Sequence, residues 1–231
     1  MQGDASFKGK DHEKPVETDE LYIEIGAGSR EEAEKLVALG DTGAFSDEIR
    51  EFGNGLIKAK ALDDRFGCTV LLELIKHELP IDCRFAFSVQ EEVGMRGAFT
   101  AAFRAMPDIA LIVEGTTAAD YPFVTGNKKI CKIGSGVVIP FMDSGTIYDR
   151  ELFSMLTGIA EKNGIPWQTK TVVAGGTDAA AFQRSRAGVK TAGIAAPVRN
   201  LHSPSTVAGI ADMEAVYNLA RLFLAEIGER Y

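Results

Sequence analysis

The run Ile109-Ala110-Leu111-Ile112-Val113 is uninterrupted by any polar residue, and it ends on Glu114. Too short for a typical helix and wholly apolar, it reads as a strand buried inside a sheet. From Lys58 onward, strands of this kind alternate with helical patterns, the signature of a layered α/β domain with a largely parallel or mixed sheet. Val70, Leu71, Leu74 and Ile75 recur at helical spacing after Asp63-Asp64, and Pro80 limits that helix. Phe85, Phe87 and Val89 alternate as a strand, Gly97 to Met106 is helical, and Ile133 to Pro140 is another strand. Asp149 to Asn163 is amphipathic, with Gly164 placed as a C-cap. Trp167 to Val173 and Val189 to Ala195 read as strands, and Asp212 to Ile227 as the closing helix.

The N-terminal part is organised differently. Residues 1–20 are polar and read as a loose tail. Leu21 to Ile25 alternates like a short strand, and Ser29-Arg30-Glu31-Glu32 fits a capping box that opens a helix through Leu39, ended by Gly40. Gly40 to Gly55 reads as loops and short strands.

With 231 residues, 45% hydrophobic and 25% charged, the chain is long enough for one sizeable core and a smaller appendage. Its 25 basic against 33 acidic residues give a net charge of -8, which speaks against binding to nucleic acid or to an anionic membrane surface. The sequence shows neither a signal peptide pattern nor a long apolar run. Cys68, Cys83 and Cys131 form no C-x-x-C pair and read as small buried hydrophobes in a reducing compartment, so the expected location is the cytoplasm.

Chemistry is expected where acidic and imidazole groups fall at strand ends. Glu91 and Glu92 follow the strand ending at Val89, Glu114 ends the strand from Ile109, and His202 lies a few residues beyond the strand ending at Ala195. Ligands of open α/β sheets bind at the carboxyl ends of strands, and Asp63 can reach that end from a loop or helix start. Adjacent carboxylates repel at neutral pH unless a cation or a proton sits on one of them. Asp, Glu and His together are the ligand types of zinc, cobalt or manganese. In extended backbone, consecutive side chains point apart, so one Glu of the pair can hold a metal while the other moves protons.

Taken singly, these residues have ordinary readings. Asp63-Asp64 fits a helix N-cap pair, Glu91-Glu92 a solvated loop and His202 a loop histidine. Burial of Glu114 at the end of an apolar strand is costlier to explain without a cation. Gly175-Gly176-Thr177-Asp178 lacks the lysine and spacing of a phosphate loop and reads as a tight turn lining a substrate pocket. Asp178 is a candidate for holding the substrate's amino group or for supporting a ligand. His77 and His12 read as surface residues.

Five motifs, in order, carry a resemblance. Lys60-Ala61-Leu62-Asp63-Asp64-Arg65, Gln90-Glu91-Glu92-Val93-Gly94-Met95-Arg96-Gly97-Ala98, Glu114-Gly115-Thr116-Thr117, Gly175-Gly176-Thr177-Asp178-Ala179 and Arg199-Asn200-Leu201-His202-Ser203-Pro204 together resemble the tetrahedral (TET-type) aminopeptidases. These are also called glutamyl or deblocking aminopeptidases, and some members are labelled endoglucanases. The resemblance covers nearly the whole chain from Leu21. It implies a three-layer αβα sandwich of the zinc-aminopeptidase type and a cocatalytic pair of divalent ions, zinc, cobalt or manganese. By the same resemblance Asp63 bridges the ions, Glu91 is the catalytic base, Glu92 and His202 complete one site, and Glu114 binds the second ion. Gly176, Thr177 and Asp178 line the substrate pocket.

The resemblance also sets an expectation of incompleteness. Full-length members begin with a catalytic segment carrying a His-x-Asp motif, followed by an inserted β-rich dimerisation domain, and this chain is expected to start inside that insertion. Residues 1–57 would then be the insertion's remnant and residues 58–231 the catalytic domain, with the second metal site lacking its histidine. The implied partners are a peptide substrate and, through the dimerisation domain, further copies of the chain. Two alternatives stand beside the metal-dependent aminopeptidase. One is an inactive fragment binding at most one metal; the other is a glycoside hydrolase, for which the adjacent Glu91 and Glu92 are poorly placed, since two carboxyls must face each other across a sugar bond about 5 to 9.5 Å apart.

Overall fold

The computed structural model describes residues 18–46 and 48–230, so His12 and most of the expected tail lie outside the described residues. The backbone divides into two compact units, Met1–Ala44 and Phe45–Tyr231. The expected domain boundary between Ile57 and Lys58 falls inside a strand of the second unit.

In the first unit the short helix α1 covers Arg30–Ala33 and stops well before Leu39. Ser29 caps it by accepting the Glu32 N–H at 3.2 Å, while Glu32 reaches back one residue further than a capping box requires, to the Gly28 N–H at 2.9 Å. None of its residues is buried, and a single turn without a packed face gives no reason to propagate. The alternating segment Leu21 to Ile25 joins no ladder, and Leu21, Tyr22 and Ile23 are exposed.

In the second unit the strands are β1 (Arg50–Phe52), β2 (Leu56–Ala59), β3 (Ile109–Thr117), β4 (Val137–Val138), β5 (Trp167–Gln168), β6 (Lys190–Arg199) and β7 (Thr206–Gly209). They form one seven-stranded mixed sheet in the order β1-β2-β7-β6-β4-β5, with β3 joined to the other edge of β6. β3 and β6 run parallel and in full register from Ile109↔Lys190 to Thr117↔Val198. The helices are α2 (Leu62–Ile75), α3 (Arg96–Ala105), α4 (Arg150–Lys162), α5 (Ala179–Gln183) and α6 (Ile210–Arg230).

The period of two in the strands sorts the helices into layers. Ala192, Ile194 and Ala196 of β6 and Val113 of β3 share one core with α2, α4 and α6, built around Phe66, Leu74, Leu152, Leu156, Leu219 and Phe223. Ala110, with Ile112 packed against it, instead meets Ala98 and Ala102 of α3 and Ala181 and Phe182 of α5. Helices therefore cover both faces, giving the three-layer αβα sandwich.

Several expected strands are shorter or absent. Of the run 133–140 only Val137–Val138 pairs, and of 167–173 only Trp167–Gln168. Phe85 to Val89, expected as a strand from its alternation, has no ladder partner among the described residues. Alternation fixes which way side chains point but cannot supply a neighbour to bond with.

Candidate active site

Each functional side chain is set by a local backbone device. Asp63 and Asp64 sit at the start of α2 with non-helical dihedrals, joined by a cis peptide bond. Asp64 accepts the Gly67 N–H at 2.9 Å and so acts as the cap of the helix that follows. Asp63 turns the other way, where its Oδ1 accepts the Gly115 N–H of β3 at 3.1 Å. The Glu91-Glu92 loop is tied onto the start of α3 by Gly94 and Met95 N–H groups bonding to the Glu91 carbonyl at 2.9 and 2.8 Å. Gly97 N–H closes the loop on the Val89 carbonyl at 2.9 Å, an approach that only a glycine permits, since a Cβ there would meet that oxygen at 2.5 Å. His202 lies in the turn after β6, in the left-handed region with φ 59, between Leu201, which packs against Leu62 and Val198, and Ser203, whose N–H bonds to Asn200 O at 3.1 Å.

These devices bring three of the expected ligands together. Asp63, Glu92 and His202 each offer one ligand atom, and the three atoms lie within 4.8 Å of one another. His202 Nε2 is 3.1 Å from Glu92 Oε2 and 3.8 Å from Asp63 Oδ2. Two carboxylates and an imidazole are a zinc-type donor set. Glu114 lines the same cavity but is not part of this group among the described residues.

Around the three ligands the carboxyls are crowded. Burial, then the charge of Glu92, raises Asp63 to about 6 against the pull of the Gly115 N–H. Burial, then Asp178, Glu92 and Asp63, raises Glu91 to about 7. Burial, then the charges of Asp64, Asp63 and Glu91, pushes Glu114 up to about 10. Asp64, also missed as a member of this cluster by sequence reasoning, is raised to about 8, chiefly by burial. Asp178 is pushed up by burial; its Oδ2 takes the Ser88 hydroxyl, while its buried Oδ1 has no partner. A set of carboxyls that cannot all ionise together is the arrangement a divalent cation relieves. The residues present therefore fit a divalent ion.

Two cavities meet at this cluster. The smaller, about 300 Å³, is lined by Asp63, Glu91, Glu92, His202, Gly176 and Thr177, with Lys170 on its wall. The larger, about 1290 Å³, runs from Asp63, Glu91 and Glu114 into the interior along β3, and Asp178 lines this one only. The turn carrying Gly176 and Thr177 is held from behind: Ser144 N–H donates to Gly175 O at 2.9 Å, and the buried Tyr148 hydroxyl lies 2.8 Å from Asp143 Oδ2 and 3.3 Å from Thr177 Oγ1. On the far side of His202, Arg199 grips Asp120 through two nitrogens at 2.6 and 2.8 Å, and Tyr121 bonds to Asn200.

Fold and site together define a layered α/β domain with an acidic, imidazole-containing centre at the carboxyl end of a parallel strand pair. Residues 4–219 match the M42 glutamyl aminopeptidases, and the chain belongs to that family. It is 31% identical over 224 residues to the lysyl aminopeptidase of Pyrococcus furiosus, covering 95% of this chain and 63% of the relative. Among solved structures it resembles an aminopeptidase of the archaeon Desulfurococcus kamchatkensis, with a TM-score of 0.88 and 35% identity over 95% of this chain and 63% of that one. It also resembles the TET1 peptidase of Pyrococcus horikoshii, which can assemble into a tetrahedron or a large octahedral shell, with a TM-score of 0.80 and 35% identity over 96% of this chain and 65% of that one. The chain spans 62 to 63% of the length of the first curated relatives it matches. The family and these relatives are peptidases, hydrolytic enzymes. No described helix is long and apolar enough to cross a membrane.

Proposed function

We propose that the chain carries the catalytic face of a metal-dependent aminopeptidase that removes N-terminal residues from peptides. The observation that carries this reading is the grouping of Asp63, Glu92 and His202 beside Glu91 on one cavity wall. Asp63, Glu92 and His202 would hold one zinc, cobalt or manganese ion, with Glu114 and Asp63 available to a second, and such ions supply Lewis acidity toward the scissile carbonyl and its attacking water.

The chain's own residues supply the rest. Glu91, half-buried on the same wall, takes a proton from the attacking water as its oxygen bonds to the carbonyl carbon, and passes it to the departing amine nitrogen as the C–N bond breaks. Gly176 and Thr177, on the wall of the smaller cavity, border the peptide, and Asp178 supports the centre from the side of the larger one. Copies of the chain are proposed to associate, in keeping with the assemblies of the Pyrococcus horikoshii relative.

A glycoside hydrolase is not favoured, because the family and the relatives cited are aminopeptidases and Glu91 and Glu92 are neighbours on one loop. The test is hydrolysis of amino-acid p-nitroanilides with added cobalt or zinc, expected to disappear in Glu91→Gln. No release from any such substrate at saturating metal would sink the peptidase reading; one tightly held ion per chain or none would favour an inactive fragment, and two would count against it.

A further inference from the structure

Thr177 ends a short chain of hydrogen bonds, and counting protons along it fixes what its hydroxyl can offer. The chain begins at the buried Asp143, whose Oδ1 accepts the N–H groups of Gly145 and Thr146 at 2.8 and 2.7 Å. Its Oδ2 lies 2.8 Å from the hydroxyl of the buried Tyr148. A carboxylate has acceptors only, so Tyr148 gives its single proton to Asp143. Burial, then the charge of Asp143, hold this hydroxyl far above the usual phenol range, so the proton stays on it. The phenol oxygen is left to accept, and at the 3.3 Å contact with Thr177 Oγ1 the threonine is therefore the donor. Of the two lone pairs on Oγ1, one takes the Ala179 N–H at 3.1 Å. What remains is one lone pair and no proton. The relay is also fixed in place. Asp143 and Tyr148 stand on a turn closed by the Met142↔Ile147 bridge, and Arg184 holds that turn through Gly145 O at 2.7 Å. The Tyr148 ring lies so close to Gly193 of β6 that a Cβ there would meet it at 2.9 Å.

We propose that Thr177 accepts the N–H of a peptide link in the bound guest and cannot donate to it, with Asp143 and Tyr148 as the positioning residues that set this polarity. This rests on the reading of the smaller cavity as the seat of the peptide, and it states what one wall of that seat selects. Thr177 lines that cavity with Asp63, Glu91, Glu92 and His202, and it does not line the larger one. A charged α-ammonium is drawn to the carboxylates there, whereas a neutral lone pair suits a neutral N–H. A secondary amide supplies that N–H. An ester link of the same shape sets one oxygen against another and leaves the hydrogen bond unmade. The selected class is therefore peptides whose link at this wall keeps its N–H, and esters and N-substituted links are turned away.

Binding is read by isothermal titration in the Glu91→Gln chain at saturating zinc, which leaves the guest intact, so the test reads no turnover. The guests are trialanine, two analogues with an ester oxygen in place of its first or second peptide N–H, and trialanine without its α-amino group. With Thr177 in place, one ester analogue should bind about tenfold more weakly than trialanine, the worth of roughly one hydrogen bond. Thr177→Val should bring that ratio close to one, and Thr177→Ser should keep it. Asp143→Asn carries the sharper expectation. With its carbonyl oxygen still facing Gly145 and Thr146, the new amide nitrogen donates to Tyr148, Tyr148 donates to Thr177, and the threonine proton is released toward the cavity. The preference should then reverse, with the ester bound more tightly than the amide, which a merely structural role of Asp143 would not produce. Melting curves show which variants are folded, and Thr177→Val decides alone if Asp143→Asn is not. An unchanged ratio in Thr177→Val, no reversal in a folded Asp143→Asn, a Thr177 effect confined to the analogue without the amino group, or no binding of trialanine at millimolar concentration would each overturn the proposal. Release of p-nitroaniline by the unmodified chain alongside any of these results would leave the peptidase reading standing and sink only this one.

Discussion

Gly115 lies so close to Asp63 that a Cβ on it would stand 2.9 Å from both the Cβ and the Oδ1 of the aspartate. The same glycine donates its N–H to that Oδ1 at 3.1 Å, so strand and ligand are held in contact by one residue that has no side chain. Gly115→Ala should push Asp63 away from Glu92 and His202. We expect a loss of about 1 to 3 kcal/mol in stability, typical of overpacking, and a weaker affinity for zinc, read by thermal melting and by isothermal titration of the metal. Unchanged metal affinity would show that Asp63 is positioned by other means.

Glu91 and Glu92 should separate by function. Glu91→Gln should lower the turnover of an amino-acid p-nitroanilide by about 10² to 10⁴, the usual weight of a general base, with metal content retained. Glu92→Gln should instead lose metal, as measured by elemental analysis after gel filtration. If both variants lost metal equally, the division of labour would be wrong.

Metal should stabilise the fold because it relieves the crowded carboxyls around Asp63, Glu91 and Glu114. At zinc concentrations a hundred times the dissociation constant, the gain should be about 2.7 kcal/mol, a rise of roughly 5 to 10 °C in melting temperature for a chain of this size. A chelator should reverse it, and His202→Ala should abolish most of it.

The pair Arg199 and Asp120 anchors the turn that carries His202, and it has a defined pH signature. Burial pushes Asp120 up, but the Arg199 hydrogen bonds, the Ile133 N–H and the Arg199 charge outweigh it and hold the carboxyl below its usual 3.8. A depressed carboxyl contributes stability above its unfolded pKa and loses it as the pH falls through the folded value. Asp120→Ala should therefore cost roughly 1 to 3 kcal/mol at neutral pH, the usual weight of hydrogen bonds to a charged group when the arginine is partly exposed. That difference should shrink as the pH falls below about 4, in denaturant titrations at each pH. A cost that stays constant with pH would point to lost packing alone.

The loop that leads into α3 depends on Gly97 in the same way. Gly97→Ala would drive a methyl group to within 2.5 Å of the Val89 carbonyl. Since that atom is backbone, the loop must move, and Glu91 with it. Activity should fall more than stability, and comparison of kcat with the melting temperature checks this.

Much of this site was legible because strand ends can be read from apolar runs, and a carboxylate or imidazole just beyond one is placed by the fold class alone. His202, beyond a strand, and Asp63, before a helix, were placed this way; Glu92 was placed by a strand that does not form, and the three side chains come together all the same. What was not legible depends on contacts between distant segments. Nothing local to Gly115 announces that Asp63 will rest on it, 52 residues away. The Ser88 contact that turns Asp178 toward the larger cavity spans 90 residues and has no sequence signal. The strand expected at Phe85 to Val89 failed for a related reason, since alternation is a property of one segment and a ladder needs two. The helix expected through Leu39 stopped at Ala33 because propensity and capping do not sustain a helix with no buried face.

The turn at Gly175 to Thr177 is fastened at both ends, by Ser144 to Gly175 and by Tyr148 to Thr177. A wall tethered in this way is rigid before anything arrives. A molecule entering the smaller cavity therefore meets a fixed contour, and the conformational entropy lost on binding is borne by the guest and not by the turn. Discrimination at this wall then becomes a matter of shape the guest can or cannot adopt, so that guests of equal hydrophobicity but unequal stiffness would be ranked by stiffness.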